Sequence, residues 1–144
     1  LTVFSSPMHE ERFDLQTGGA SLWDRDVVEA FIGTEPATIG KYSEFEVAPS
    51  NERLDVQVDL PQKDFAWKSG FESAVKIDRK RRVWTCEMRI PWGAFSGKPP
   101  TVGSAWRLNL FRCDRANKAF LAWRPPLTGS FHTPERFGLL EFVE

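Results

Sequence analysis

Nowhere in this chain does the helical period of about 3.6 residues persist long enough to build a helix of several turns. What recurs is alternation of apolar and polar residues over short runs, cut at nearly regular spacing by Gly, Pro, Asn or Asp. Alternation sends successive side chains to opposite faces of an extended backbone, whereas a helix must gather its apolar residues into one stripe. The pattern predicts strands near 2–5, 27–32, 42–47, 54–60, 73–77, 83–90, 106–112, 119–123 and 138–142. Residues 10–16 have room for one helical turn and 91–95 for another, neither for a long helix. Strands joined by short turns, with no helix to cross between them, predict an all-β antiparallel sandwich or barrel. The 144 residues match one domain, since domains usually run about 100–200 residues, so the whole of 1–144 is read as a single unit.

Parity sorts the side chains. Along 83–90, Trp84, Cys86, Met88 and Ile90 share one face and are assigned to the core, while Val83, Thr85, Glu87 and Arg89 take the solvent side. The same logic buries Trp106, Leu108 and Leu110 and turns Arg107 and Asn109 out to water. Cys86 is then a small core hydrophobe, and Cys113 lies just past the end of its strand. Two cysteines are too few for a disulfide framework and lack metal-ligand spacing. A bridge between them requires Cα atoms within about 7 Å, which alternation does not decide.

Two stretches break the pattern: 6–21, with Gly18-Gly19, and 124–133, with Pro125-Pro126 and Gly129. Loops of this length in a β domain tend to carry function. The chain opens in the apolar run Leu1-Thr-Val-Phe4, with no Met and no signal peptide, so the sequence is expected to be a fragment or processed piece of a longer protein.

Charge and motifs narrow the function. Nineteen basic against twenty acidic residues leave a net charge of −1, which gives no overall attraction to nucleic acid or an anionic membrane. The run Arg79-Lys80-Arg81-Arg82 reads as a solvated turn, and no apolar stretch approaches the roughly 18–20 residues of a membrane span. The two histidines, His9 and His132, sit in loops, and no Gly-x-Ser-x-Gly, His-Glu-x-x-His or phosphate-binding glycine loop is present. Paired carboxylates are formally available from Asp24, Asp26 and Glu29 or from Glu44 and Glu46. Acids bracketing a strand start usually cap turns and face solvent, so the expectation is a protein that is not an enzyme. Asp24 and Asp26 are also the metal candidates, for calcium with its preference for hard oxygens. A haem would have to draw its axial ligands from Met8, Met88, His9 and His132.

Aromatic content is the unusual quantity: 13%, with six Trp, twelve Phe and one Tyr, more than a core of this size requires. Trp23, in a loop before a strand, and Phe131, in the second long loop, lie outside any alternating run. Both are free to pack against the C–H face of a sugar ring, and both are equally able to plug an end of the sandwich.

The segment Trp23-Asp-Arg-Asp-Val-Val-Glu-Ala-Phe-Ile32 resembles the signature of the family 9 carbohydrate-binding modules and their relatives. Three further blocks agree in order: Tyr42-Ser-Glu-Phe-Glu-Val47, Trp84-Thr-Cys-Glu-Met-Arg-Ile-Pro-Trp92 and Pro134-Glu-Arg-Phe-Gly-Leu139. The resemblance implies an antiparallel β-sandwich of jelly-roll or immunoglobulin-like form, related to DOMON domains. It also implies a site in which two aromatics clamp a terminal sugar: Trp23 as the first, Phe131 as the second, with Glu29 on the sugar hydroxyls. Arg124 and His132 are the further polar candidates. The chain departs from the sugar-binding members in carrying Glu46 and Ala48 where they have Arg and Asn, and Gly129-Ser130 in place of an Asn-rich loop. These changes remove planar donors, so the family's sugar preference is not carried across. Strands that usually precede the segment resembling 1–5 are missing. The expectation is non-catalytic glycan binding by a secreted, periplasmic or cell-surface protein, tethered to an enzyme or further domain. The alternatives are a structural or interaction domain of an envelope protein and a DOMON-like haem redox domain.

Overall fold

The computed structural model describes the backbone of residues 2–7 and, in full, residues 21–95, 97, 99–115 and 117–144. In chain order the strands are β1 (Thr2–Pro7), β2 (Val27–Gly33), β3 (Lys41–Val47), β4 (Arg53–Asp59), β5 (Gln62–Asp64), β6 (Glu72–Asp78), β7 (Val83–Arg89), β8 (Ala105–Asp114), β9 (Ala119–Ala122) and β10 (Gly138–Glu141). Among the described residues the only helices are three-residue 3-10 turns at Leu22–Asp24, Trp92–Ala94 and Pro134–Arg136. All nine strands expected from alternation are present, and so is the turn expected at 91–95. The helical turn expected at 10–16 lies outside the described residues, as does nearly all of the loop at 6–21. The strand that alternation did not show is β5, three exposed residues paired to the edge of β4.

The strands form two antiparallel sheets. The smaller has the order β1-β7-β6, and the larger runs β10-β8-β2-β3-β4-β5, with β9 also pairing β8. β9 and β10 share one edge of β8, β10 along its first half and β9 along its second.

Alternation in β2 and β3 gives the larger sheet two different faces. Val28, Ala30, Ile32, Phe45 and Val47 meet Trp84, Cys86 and Met88 of the smaller sheet to make the main core. Phe31, Tyr42, Val56, Val58, Phe111 and Phe137 form a second cluster on the other face. Each large side chain so buried contributes about 1.5–3 kcal/mol. β2 is buried along its whole length because both its faces are covered.

That covering corrects one expectation. Asn109, placed on the solvent side by parity, has no exposed surface. The chain after β9 folds back over the sheet, and Asn109 binds it: Nδ2 donates to the Arg124 carbonyl at 2.8 Å, and Oδ1 accepts from the Arg124 amide at 3.0 Å. Arg107 likewise donates to the Pro134 carbonyl at 2.9 Å. Parity assigned the face correctly, but no local pattern announces a loop lying across it.

Asp55, on β4, ties this sheet to the turn before β6. Its Oδ2 accepts from the Ser69 amide at 2.6 Å and the Ser69 hydroxyl at 2.8 Å, and Oδ1 accepts from Lys68 Nζ at 3.2 Å. Burial alone would raise its carboxyl, but these donors together hold it below the usual range. Cys86 and Cys113 are both free, buried thiols, Cys86 in the main core and Cys113 among Leu22, Val27 and Ala48.

Candidate functional site

A cavity of about 590 Å³ opens on the larger sheet's outer face, the one not covered by the smaller sheet. Its floor is made by β2, β3 and β8, which contribute Glu29, Phe31, Glu44 and Cys113. Its walls come from the Leu22–Asp24 turn, β5 and the residue after it, β9, and the loop 126–132.

Leu22 is buried beneath its turn, which leaves Trp23 pointing away, 38% exposed, at the cavity's edge. Phe65 stands beside it, ring centroids 5.8 Å apart and tilted by 43°. Arg115 secures this corner by donating to the Trp23 carbonyl at 2.6 Å while its guanidinium lies 5.1 Å from the Phe120 ring centre. Phe131 stacks on Phe111 at 4.2 Å, so one of its faces is closed to any ligand.

The polar groups are unusually dry. His132 stands 2.6 Å from Lys63 Nζ through Nε2 and 2.7 Å from the Tyr42 hydroxyl through Nδ1. An ammonium can only donate, so Nε2 accepts and the ring proton resides on Nδ1, which donates to Tyr42. Burial and the adjacent Lys63 charge pull this imidazole down to about 4. It is therefore neutral near pH 7 and, although 3.8 Å from Glu44, forms no ion pair with it.

Three acids sit together here, Glu29 and Glu44 on the floor and Glu46 buried beside them. Glu29 and Glu46 are direct cross-strand partners, and Glu44 lies one pleat from Glu46 on the same face. One oxygen from each lies within 4.8 Å of the other two. Burial is the main reason all three carboxyls are raised above the ordinary range, and the nearby acids add to it for Glu29 and Glu46. The Cys113 thiol, itself pushed up by burial and by Glu29, donates to Glu29 Oε1 at 3.3 Å. Glu46 and Glu44 share a side-chain hydrogen bond, with Glu46 holding the proton and Glu44 accepting it, which raises the Glu46 carboxyl further and restrains the rise at Glu44.

Of the residues singled out from sequence, Trp23, Glu29, Phe131 and His132 all line this cavity. Glu29 is 2% exposed rather than solvent-facing, because the loop over the outer face buries it. Arg124 does not line the cavity: Asn109 holds its backbone, and its side chain is exposed. Asp24 faces Arg115 at 3.5 Å, and Asp26 is buried against Arg112 at 3.3 Å and accepts from the Arg115 amide at 2.9 Å. Both of these acids are thus opposed by arginines. Among the haem candidates, Met88 is in the main core, and Met8 and His9 lie outside the described residues. The sequence reading missed Lys63, Phe65, Arg115 and Phe120. Lys63 and Phe65 depend on the unrecognised β5, and Phe120 sits in a strand whose alternation does not say which face meets a ligand.

The fold is thus a two-sheet antiparallel sandwich with an aromatic-walled cavity on one sheet's outer face. Residues 11–144 match the family described as carbohydrate family 9 binding domain-like, and the chain belongs to that family. It is 32% identical over 140 residues to an "Extracellular protein" of Arthroderma benhamiae, covering 85% of this chain and 63% of that one. Among solved structures it resembles a "putative carbohydrate-binding protein" of Bacteroides uniformis, with a TM-score of 0.66 and 22% identity over 84% of this chain and 62% of that one. The second likeness is one of fold. The chain spans less than two thirds of the length of either relative.

Proposed function

We propose that this domain binds a glycan, without catalysis, in the cavity on the outer face of its larger sheet. The observation that carries the reading is the pairing of exposed aromatic walls with buried polar groups on the floor. Its volume of about 590 Å³ falls within the roughly 300–1,000 Å³ of small-ligand sites. Trp23, with Phe65 beside it, offers a flat apolar surface for sugar C–H groups, and the free face of Phe131 offers a second. Glu29 and Glu44, at the floor, accept hydroxyl hydrogens. Membership of a carbohydrate-binding-domain-like family supports the same ligand class. The extracellular relative favours action outside the cytoplasm, and no helix among the described residues is long and apolar enough to cross a membrane. Binding through so few contacts is modest and gains from tethering to an enzyme or another domain of a longer protein, where effective concentration compensates for weak intrinsic affinity.

The test is a tryptophan-fluorescence titration against soluble mono- and oligosaccharides, with Trp23→Ala beside wild type. A saturable change in wild type that disappears in a still-folded Trp23→Ala is the expected result. No response to any sugar overturns the reading and favours an interaction domain. Cleaved oligosaccharide in the same mixtures overturns its non-catalytic part.

A further inference from the structure

Polar and apolar surface are sorted by depth in the cavity. Glu29 and Glu44 on the floor are buried, His132 is half-buried, and Lys63 is held to it at 2.6 Å. The outer wall carries large apolar side chains instead: Phe65 is 46% exposed, Phe120 58% and Leu127 76%. The hydroxyls of the adjoining loop are turned to the loop itself. The Thr128 hydroxyl donates to the Ser130 carbonyl at 2.9 Å, and the Ser130 hydroxyl accepts from the His132 amide at 3.1 Å. With Pro126 beside Leu127, this stretch shows the opening mostly hydrocarbon.

Leu127 is the most exposed of these residues, and it is also strained. Its φ is 59°, in the left-handed region, where the Cβ of an L residue crowds the backbone and bulky side chains are rare. It belongs to no core cluster among the described residues, so neither the strained backbone nor the exposed hydrocarbon brings the fold any burial in return. Departures of that kind concentrate at ligand clamps. Phe120 also stands outside the core clusters, its ring lying across that of Phe131 at 6.0 Å and 77°. Binding a sugar against Trp23, Phe65 and Phe131 leaves Phe120 and Leu127 without a task. A second sugar does not suit them, because the branched Leu127 side chain offers no flat face for a ring and its surroundings offer few partners for hydroxyls.

We propose that the ligand is an amphipathic glycoside: a sugar seated on the floor, joined to an apolar aglycone that leaves the cavity against Phe120 and Leu127. The inference rests on the glycan reading and deepens it, by assigning what the sugar is attached to. Contact with the aglycone takes its surface out of water together with that of two side chains that otherwise face solvent. The orientation follows from the floor. Hydrocarbon laid over Glu29 and Glu44 would strip their water without replacing its hydrogen bonds, whereas sugar hydroxyls replace them.

The experiment is calorimetric titration of the full chain with methyl, hexyl and phenyl β-glycosides of glucose, galactose, mannose and xylose, with hexanol and phenol as controls. For at least one sugar, the hexyl or phenyl glycoside is expected to bind at least about tenfold tighter than the methyl glycoside. The two arms tell an aliphatic aglycone from an aromatic one. Leu127→Asn, which tolerates the same backbone, is expected to cut that gain to less than about threefold without lowering Tm. Phe120→Ser is expected to cut it likewise. Leu139→Asn, at an exposed leucine away from the cavity, is expected to keep it. Equal affinity for methyl, hexyl and phenyl glycosides overturns the inference and leaves the glycan reading standing. A gain undiminished in folded Leu127→Asn and Phe120→Ser does the same. Hexanol or phenol binding as tightly as its glycoside would mean that the sugar adds nothing, and both readings fall. Binding of none of the glycosides overturns the inference, and the oligosaccharide titration then decides the glycan reading separately.

Discussion

Asp55 is a residue whose contribution can be read from its donors. Three of them converge on one nearly buried carboxylate, and they bind its charged form. Its folded pKa lies below the unfolded 3.8, so the stability it supplies is fully present above that value. This stability is lost as pH falls through the folded value. In urea unfolding, Asp55→Asn is expected to be less stable than wild type by about 1–3 kcal/mol near pH 6, the range for hydrogen bonds to a charged group. The gap is expected to narrow as pH falls below 4. A gap that stayed constant down to pH 2.5 would mean that the carboxylate charge adds nothing.

At the scale of the strand, β7 shows how sharply one pleat divides consequences. Trp84, Cys86 and Met88 enter the main core, whereas Glu87 and Arg89 are exposed. Trp84→Ala is expected to cost about 3–5 kcal/mol and Glu87→Ala to stay within about 0.5 kcal/mol, as chemical denaturation of the two variants would show. Comparable losses would mean that the strand is not seated as described. This division was legible in the sequence, because alternation is a local signal that each strand carries alone. β5 was not, since three exposed residues hold no period, and with it went Lys63 and Phe65. Nor was the burial of Glu29 and Asn109, which depends on a loop distant in sequence. Trp23 and Phe131, which line the cavity, stood out in the sequence because they lie outside any alternating run. The acid cluster required the pairing of Glu29 with Glu46, a matter of register between two strands rather than of either strand's composition.

For the molecule as a whole, the two thiols report on global unfolding. Cys86 lies between the sheets and Cys113 beneath the outer face, and burial raises both, Cys86 to about 12. Neither is a thiolate near neutral pH; Cys86 cannot be reached without opening the sandwich, and Cys113, at the cavity floor, is only 2% exposed. Native protein is expected to resist an aromatic disulfide reagent at pH 8 and to release two equivalents in strong denaturant, followed by absorbance. Rapid reaction of one thiol under native conditions would reveal a local opening on its side of the sheet.

The two-sided character of β2 and β3 bears on how reliably the chain finds its own alignment. Slipping these strands by a single residue would carry Glu29, Glu44 and Glu46 into the hydrocarbon space now held by Val28, Ala30, Phe45 and Val47. Misaligned pairings would thus set three carboxyl groups against the smaller sheet's apolar side chains, while the correct one gathers them on the outer face, where Glu29 and Glu44 line the cavity. The same acids that give the cavity its chemistry therefore act as a proofreading device during folding, and replacing them with apolar residues would remove a guard against mispaired strands.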